Sequence, residues 1–510
     1  MFLLGYDIGS SSVKVALVDA ATGSTVGTAQ HPGTEMPISA PRPDWAEQNP
    51  EDWWEAACAA TQKLLAKTHA SPDQIAAIGI AYQMHGLVAV DKHGQVLRPA
   101  IIWCDSRAVE IGNCAFSALG EGFCLQNYLN SPGNFTASKL RWLREHEPEV
   151  FSQIDKIMLP GDYIAYRMTG EICTTVTGLS EGVFWDFKAN ALAKRLLEHY
   201  DIPEKMLPDV VGVFSPQGKL SAQAAAALGL VAGIEIGYRA GDQPNNALSL
   251  NVLRPGEVAA TGGTSGVVYA VAERPVFDPQ QRVNSFAHVN YSPEKPLTGV
   301  LLCINGAGSL YRWVRENIGF HELPESSKTF GKLEYAKMEQ LAATVPIGSE
   351  GLCILPFGNG AERMLGNQNP GAQVLGLQFN RHERRHFFRA ALEGIAFAFV
   401  HGMEAMRAMG IPIRTLRVGN DNLFRAAIFS ETITTLMGAE IEVLATTGAV
   451  GAAKAAGVAV GAFASPEEAM AHSLAPVTTY KPEPRKHSAY AEAYARWCGH
   501  LEVINLHKLQ

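Results

Sequence analysis

The same local design is written twice into this chain. FLLGYDIGSSSVKVALVD, residues 2–19, runs apolar into Asp7, turns through Gly9, Ser10, Ser11 and Ser12, and returns past Lys14 in apolar alternation. EVAATGGTSGVVYAV, residues 257–271, does the same around Thr261, Gly262, Gly263, Thr264 and Ser265. Each reads as a β-hairpin with glycine and small hydroxyl residues at its tip. Identity between the two copies is slight, so what repeats is architecture. At 510 residues the chain is too long for one ordinary core. Two similar α/β units, each opening with such a hairpin, are the expected fold.

The elements between the hairpins fit that reading. FLLGYDI, VKVALVD and TVGTAQH read as three strands over residues 2–31, separated by turn compositions. In NPEDWWEAACAATQKLLAK, Asn49 is a good N-cap, Pro50 fits the first helical position, and Glu51 and Asp52 suit the first turn. IAAIGIAY reads as a buried strand, and LVAVDKHGQVLRPAIIW as a hairpin around Lys92–Gly94 followed by another strand. Antiparallel strands before the first helix exclude the Rossmann pattern. Residues 135–210 read as mainly helical. The region 229–242 returns to strand and ends at AGDQPNN. RTLRVGN, NLFRAAIFSETITTLMG and EIEVLA then read as strand, helix and strand. TTGAVGAAKAAGVAVG reads as a helix of Gly and Ala that can approach its neighbour closely, as at a packed hinge.

Bulk properties narrow the function classes. Hydrophobic content of 47% and charged content of 18% are globular values. A formal charge of −8 argues against a nucleic-acid partner. The eight cysteines, Cys58, Cys104, Cys114, Cys124, Cys173, Cys303, Cys353 and Cys498, form no C-x-x-C pair and read as reduced thiols. With neither a signal peptide nor an apolar span at membrane length, a cytoplasmic protein without a membrane partner is expected.

The chemistry follows from the loops. A tight turn of small residues turns backbone N–H groups outward, and these can wrap an anion. Ser and Thr hydroxyls add donors and Lys14 adds charge. Asp7 repels phosphate unless a divalent cation lies between them, through water as Mg²⁺ prefers. Two such hairpins facing across a cleft would hold a polyphosphate from both sides. Either loop alone reads equally well as a plain hairpin turn; the pair favours phosphate. The Walker pattern G-x-x-x-x-G-K-[ST] and a strand-linked G-x-G-x-x-G are both absent. HERRH, His382–His386, is a literal H-E-x-x-H, which on a helix could hold zinc. Here Asn380 reads as an N-cap, which puts the motif in a polar, exposed first turn. The arginines disfavour a metal cation, so a metalloprotease is a poor reading.

Over nearly its whole length, and in the same order, the chain resembles the FGGY family of carbohydrate kinases, within the actin, hexokinase and Hsp70 ATPase superfamily. The segments that carry the resemblance are DIGSSSVK, WAEQNPEDWW, YQMHG with IIWCDSR, LPGDYIAYRMTGE, AGDQPNNA, TGGTSG, LEGIAFAF and TTGAVGAAKAAG. The resemblance implies two ribonuclease H-like (actin-like ATPase) domains around a cleft. Residues 1–251 would bind the sugar and carry the first phosphate loop and the catalytic aspartate. Residues 252–485 would bind the nucleotide, and 486–510 would form a helical tail. It implies ATP with Mg²⁺, a small sugar substrate, a ketopentose before other sugars or polyols, and a homodimer.

The family's roles then fall on Asp242 as catalytic base and on Met84, His85 and Asp242 as sugar contacts. Asp7 would organise Mg²⁺. Gly9, Ser10, Ser11, Ser12, Lys14 and residues 261–265 would face ATP phosphates, and Gly419 and Asn420 the adenosine. VGNDNLF departs from the small-residue run usual at the adenosine site, and Gln243-Pro244 from the residues usual after the base. Alone, Asp242 is equally a turn residue, His85 a hydrogen-bonded core histidine and Met84 core filler. Asp105 and Arg107 read as a structural ion pair near the sugar site. A nucleotide-gated sugar-binding protein without transferase activity is the reading from another class.

Overall fold

A computed structural model describes residues 1–321, 331–420, 422–471 and 475–507. The first hairpin forms as its alternation predicts: β1 (Phe2–Ile8) pairs antiparallel with β2 (Val13–Asp19), and β2 with β3 (Thr25–His31). The helix α1 (Pro50–Thr68) starts at Asn49, whose side chain accepts from the Glu51 amide at 3.3 Å. It crosses over and delivers β4 (Ile75–Tyr82) parallel to β1, and β5 (Glu235–Gly241) adds parallel to β4. The sheet order is β5-β4-β1-β2-β3.

The second hairpin repeats this plan. β6 (Glu257–Gly262) pairs antiparallel with β7 (Gly266–Ala272), β8 (Asn284–Ala287) with β9 (Thr298–Ile304), and β9 with β7. β10 (Thr415–Gly419) lies parallel to β6, and β11 (Glu440–Leu444) parallel to β10. β12 (Thr478–Tyr480) closes the edge, giving β8-β9-β7-β6-β10-β11-β12. Both sheets therefore contain three antiparallel strands followed by two parallel ones.

The halves interlock through two helices. α3 (Asp242–Ser249), which leaves β5, touches β6 and β7 of the second sheet; α6 (Gly448–Ala459), which leaves β11, packs on β1, β4 and β5 of the first. The close approach expected of the Gly/Ala helix is real. Gly5 and Gly79 sit side by side in register on β1 and β4. A methyl group on either would collide with α6 backbone, at Ala449 and Ala452 respectively. α2 (Val176–Glu181) and α4 (Ala307–Asn317) flank the cleft between the halves. α5 (Arg384–Ala408) and α7 (His487–His507) back the second sheet, where buried Trp497 donates to the Ile354 carbonyl at 3.1 Å.

Three expectations need correction. The hairpin at Lys92–Gly94 turns and its arms meet at the isolated bridges Val90–Val96 and Leu87–Ile101, but its return arm forms no continuous strand; Val88–Val90 forms its ladder with Lys156–Met158. NLFRAAIF is not helical from its start. A 3₁₀ turn, Leu423–Arg425, precedes the helix at Ala427, because Asn422 caps that turn by accepting from the Phe424 amide. HERRH is not an exposed helical turn. α5 begins at Arg384, after His382, and Glu383 rather than Asn380 is its N-cap. Both histidines are buried. His382 Nδ1 accepts from the Gln378 amide at 3.0 Å in the turn before α5, and His386 Nδ1 accepts from the Glu383 amide at 2.9 Å as part of the helix cap. Among the described residues no cluster of His, Cys, Asp and Glu could hold a metal, and no helix is long and apolar enough to cross a membrane. All eight cysteines are free thiols.

Candidate active site

The first loop is a closed turn, with the Gly9 amide donating to Ser12 O at 3.1 Å. Its backbone is pinned from below by Gln48, which donates to Ser10 O at 2.7 Å. The same side-chain amide accepts from Trp53 Nε1 at 3.0 Å and from Gln83 at 3.3 Å. Trp103 donates to Ser10 Oγ at 3.3 Å, and Gln30 to Ser12 Oγ at 3.0 Å. Asp7 and Lys14 are register partners across the hairpin.

The WAEQ segment thus has a physical role that its letters did not disclose. Gln48 ties the loop to α1. Glu47 pairs with Arg98, and with Arg107 at 2.7 Å. Trp45 lies under the Arg107 guanidinium, 3.8 Å from its ring centre. Asp105 is fully buried, bonds Arg107 with both oxygens and accepts from the Ala46 amide at 2.6 Å, which makes this pair a strut.

The second loop rests on the start of α4: Gly308 N donates to Gly263 O and Ser309 N to Thr264 O, both at 3.0 Å. Asn422 reaches Thr261 Oγ1 at 3.4 Å. Behind the loop opens a cavity of about 590 Å³, lined by Gly262, Gly263, Thr264, Tyr311, Tyr335 and Leu423 among others. Tyr311 and Tyr335 stack there, centroids 5.4 Å apart. Gly419 ends β10 and Asn420 follows it, and neither is in this wall, which is built by Asn422, Leu423, Arg425 and Ala426 instead; Asp421 lies outside the described residues. Sequence reading missed Tyr311 and Tyr335, which carry no spacing signal.

Between the loops lies Asp242, the first residue of α3. The Asp162–Arg239 ion pair, 3.1 Å and buried, ties the helix over 160–169 to β5, the strand that ends at this residue. Burial and then the Asp7 charge raise the Asp242 carboxyl from 3.8 to about 7, against hydrogen bonds from the Gln243 backbone and side chain and from its own amide. Asp7 is raised by burial and lowered by Lys14.

Met84 packs against Gly241; a methyl group there would lie 2.6 Å from its Cγ and 2.5 Å from Glu181 Oε2. His85 takes a positive φ of 61° and bonds Glu181 O through Nδ1 at 2.9 Å. A carbonyl can only accept, so Nδ1 carries the proton and Nε2 keeps a lone pair. Burial, then Lys139, lowers His85 to about 3, which keeps it neutral. Its ring packs edge-on to Phe135 and beside Phe286, which lies on β8 of the other half. The structure therefore brings Asp7, Met84, His85, Asp242 and both loops to one cleft.

The model of the FGGY family of carbohydrate kinases matches over residues 2–249 for its N-terminal domain and 258–460 for its C-terminal domain. The chain belongs to that family. It is a carbohydrate kinase with the fold of the actin-like ATPases, acting on a small sugar with ATP as phosphate donor. It is similar to the xylulose kinase of Klebsiella pneumoniae, at 30% identity over 98% of this chain and 99% of that one. It is similar to the xylulose kinase of Escherichia coli strain K12 at 29% identity over 96% of each. The crystal structure of xylulose kinase from Rhodospirillum rubrum superposes over 100% of both chains with a TM-score of 0.86 at 26% identity.

Proposed function

We propose that this kinase phosphorylates D-xylulose to D-xylulose 5-phosphate, with Asp242 as general base. The observation that carries the reading is Asp242 itself: a carboxyl held near neutrality, at a helix N-terminus, between two small-residue loops. The similarity to several xylulose kinases supports the sugar. In this reading residues 1–251 bind sugar, 252–485 bind nucleotide, and 486–510 form a tail.

The chain's own groups account for the transfer. The amides and hydroxyls of residues 9–12 and 261–265, with Lys14, hold ATP phosphates from two sides. Tyr311 and Tyr335 take the base, with Gly419 and Asn420 at its edge. His85 Nε2 accepts from one sugar hydroxyl, and Met84 packs the carbon chain. Asp242 takes the proton of the attacking hydroxyl as its oxygen bonds the γ-phosphorus, a role worth about 10²–10⁴-fold. Two partly buried carboxyls whose proton affinity is raised, Asp242 in part by the charge of Asp7, fit a divalent cation; Asp7 would hold Mg²⁺ through water, and the ion would offset charge on the phosphates.

The test is ADP release with MgATP across D-xylulose, L-xylulose, D-ribulose, L-ribulose, D-fructose, glycerol and gluconate, for wild type and Asp242→Asn. Preference for D-xylulose, lost in the variant, is expected. Preference for another sugar would replace the substrate, and a fully active variant would remove Asp242 as base.

A further inference from the structure

Among the described residues, Arg363 beside the cleft has no acidic partner. The segment that carries it is tied to the second phosphate loop by a chain of hydrogen bonds. The Asn305 amide donates to both oxygens of buried Glu362, at 2.9 and 3.2 Å. Asn305 Nδ2 donates to Ala361 O at 2.6 Å, and Asn359 Nδ2 to Asn305 O at 3.0 Å. Two residues beyond Asn305, α4 begins and supports Gly263 and Thr264. Arg363 follows Glu362 directly and opens a 3₁₀ turn closed by Gly366 N to Arg363 O at 3.0 Å. Its backbone is thus fixed to the same floor as the loop.

The side chain stands within electrostatic reach of His85 of the first half and of Cys303 of β9, which in turn feels Asp242 and Glu362. It is partly exposed and otherwise enclosed, and burial lowers its pKa. Among the described residues no carboxylate pairs with it. By contrast the other buried arginines, Arg107, Arg239 and Arg389, each hold an acidic partner. An enclosed guanidinium without a counter-ion is costly, unless a ligand brings the anion.

We propose that Arg363 is a catalytic residue, donating hydrogen bonds to the phosphoryl group as it passes from ATP to the sugar. The inference rests on the reading of Asp242 as the base of this cleft. In the step concerned, the sugar oxygen bonds the γ-phosphorus as its bond to the β,γ-bridging oxygen breaks. The electron pair leaves with ADP, and the hydroxyl proton goes to Asp242. Negative charge moves across the equatorial oxygens, where a planar guanidinium can take two of them at once.

The experiment compares Arg363→Met, Arg363→Lys and Arg363→Ala with wild type, on whichever sugar of the panel wild type turns over. Arg363→Met is expected to lose about 10²–10³-fold in kcat, with KM for ATP within about threefold. Arg363→Lys recovers part, and added methylguanidinium restores part of the rate of Arg363→Ala. Melting temperatures are read alongside; if the Met variant does not fold, the Lys variant and the rescue decide. A wild-type kcat in Arg363→Met overturns the inference. So does a loss that follows the melting temperature and is not rescued. Asp242→Asn is run in parallel: an active Asp242→Asn removes the base, whereas an inactive one beside an unimpaired Arg363→Met removes the arginine alone.

Discussion

Replacing Asp7 by Asn should move the acid limb of the pH–rate profile to lower pH. The carboxyl of Asp242, the proposed base, is raised to about 7 because burial, and secondarily the Asp7 charge, disfavour its ionised form. A base works ionised, so kcat/KM should rise with pH, level off above about 7, and fall about tenfold per pH unit below it. The displacement from 3.8 corresponds to about 4 kcal/mol between the two protonation states. Asp7→Asn removes the neighbouring charge and leaves the burial. The limb should therefore move toward, without reaching, 3.8. Loss of the carboxylate proposed to organise Mg²⁺ also lowers the plateau, but the midpoint is independent of the amplitude. The assay is coupled ADP release with MgATP and sugar both well below their KM, from about pH 5 to pH 9, so that the profile reports the free enzyme. The ionisation of ATP is common to both enzymes and cancels in the comparison. A midpoint that stays in place, or that moves upward, would refute the electrostatic account of this pair.

Two further outcomes test the frame around the site. Gly79→Ala should destabilise the fold by about 1–3 kcal/mol through collision with α6 backbone, seen as a melting temperature lower by several degrees; a variant that melts with wild type would mean α6 is not seated there. Tyr335→Ala should raise KM for ATP about 3–10-fold by unstacking Tyr311, with KM for the sugar unchanged.

The duplicated hairpins were legible because strand alternation and turn composition are local signals. Residues 2–8, 13–19 and 25–31 form strands as their pattern requires, and Asn49 caps α1 by ordinary Asx chemistry. The cleft was legible only in part. Asp242, His85 and Met84 announce themselves through segments that resemble a family, but their environment is tertiary. The shift of Asp242 needs Asp7, on another strand, and the neutrality of His85 needs Lys139 and the enclosure around it. Of the wall proposed to take the nucleotide, Gly262, Gly263 and Thr264 were legible, whereas Tyr311, Tyr335 and Leu423 come from three elements with no shared spacing. Two of the misreadings share a cause. Asn380 and the segment from Asn422 each carry local cap or helix signals, but the caps that form are Glu383 with His386 and Asn422 on a 3₁₀ turn, which moves each boundary by a few residues.

The two repeats also explain why base and seam coincide. α3, which begins with Asp242, leaves the first sheet and reaches the second, while α6 leaves the second and lies on the first. Asn245, one turn into α3, donates to Gly448 O at 3.0 Å, at the first residue of α6. A methyl group on Gly448 would lie 3.0 Å from Asp7 Oδ2. Base, first-loop carboxylate and both crossing helices therefore meet in one knot. Asp7 on β1 and Asp242 after β5 belong to the same first sheet, so their separation, and with it the contribution of Asp7 to the proton affinity of Asp242, is set within the first half. What the second half brings to them is its own loop and the helix α6 that crosses onto the first sheet. A single α/β unit carrying one hairpin would have neither.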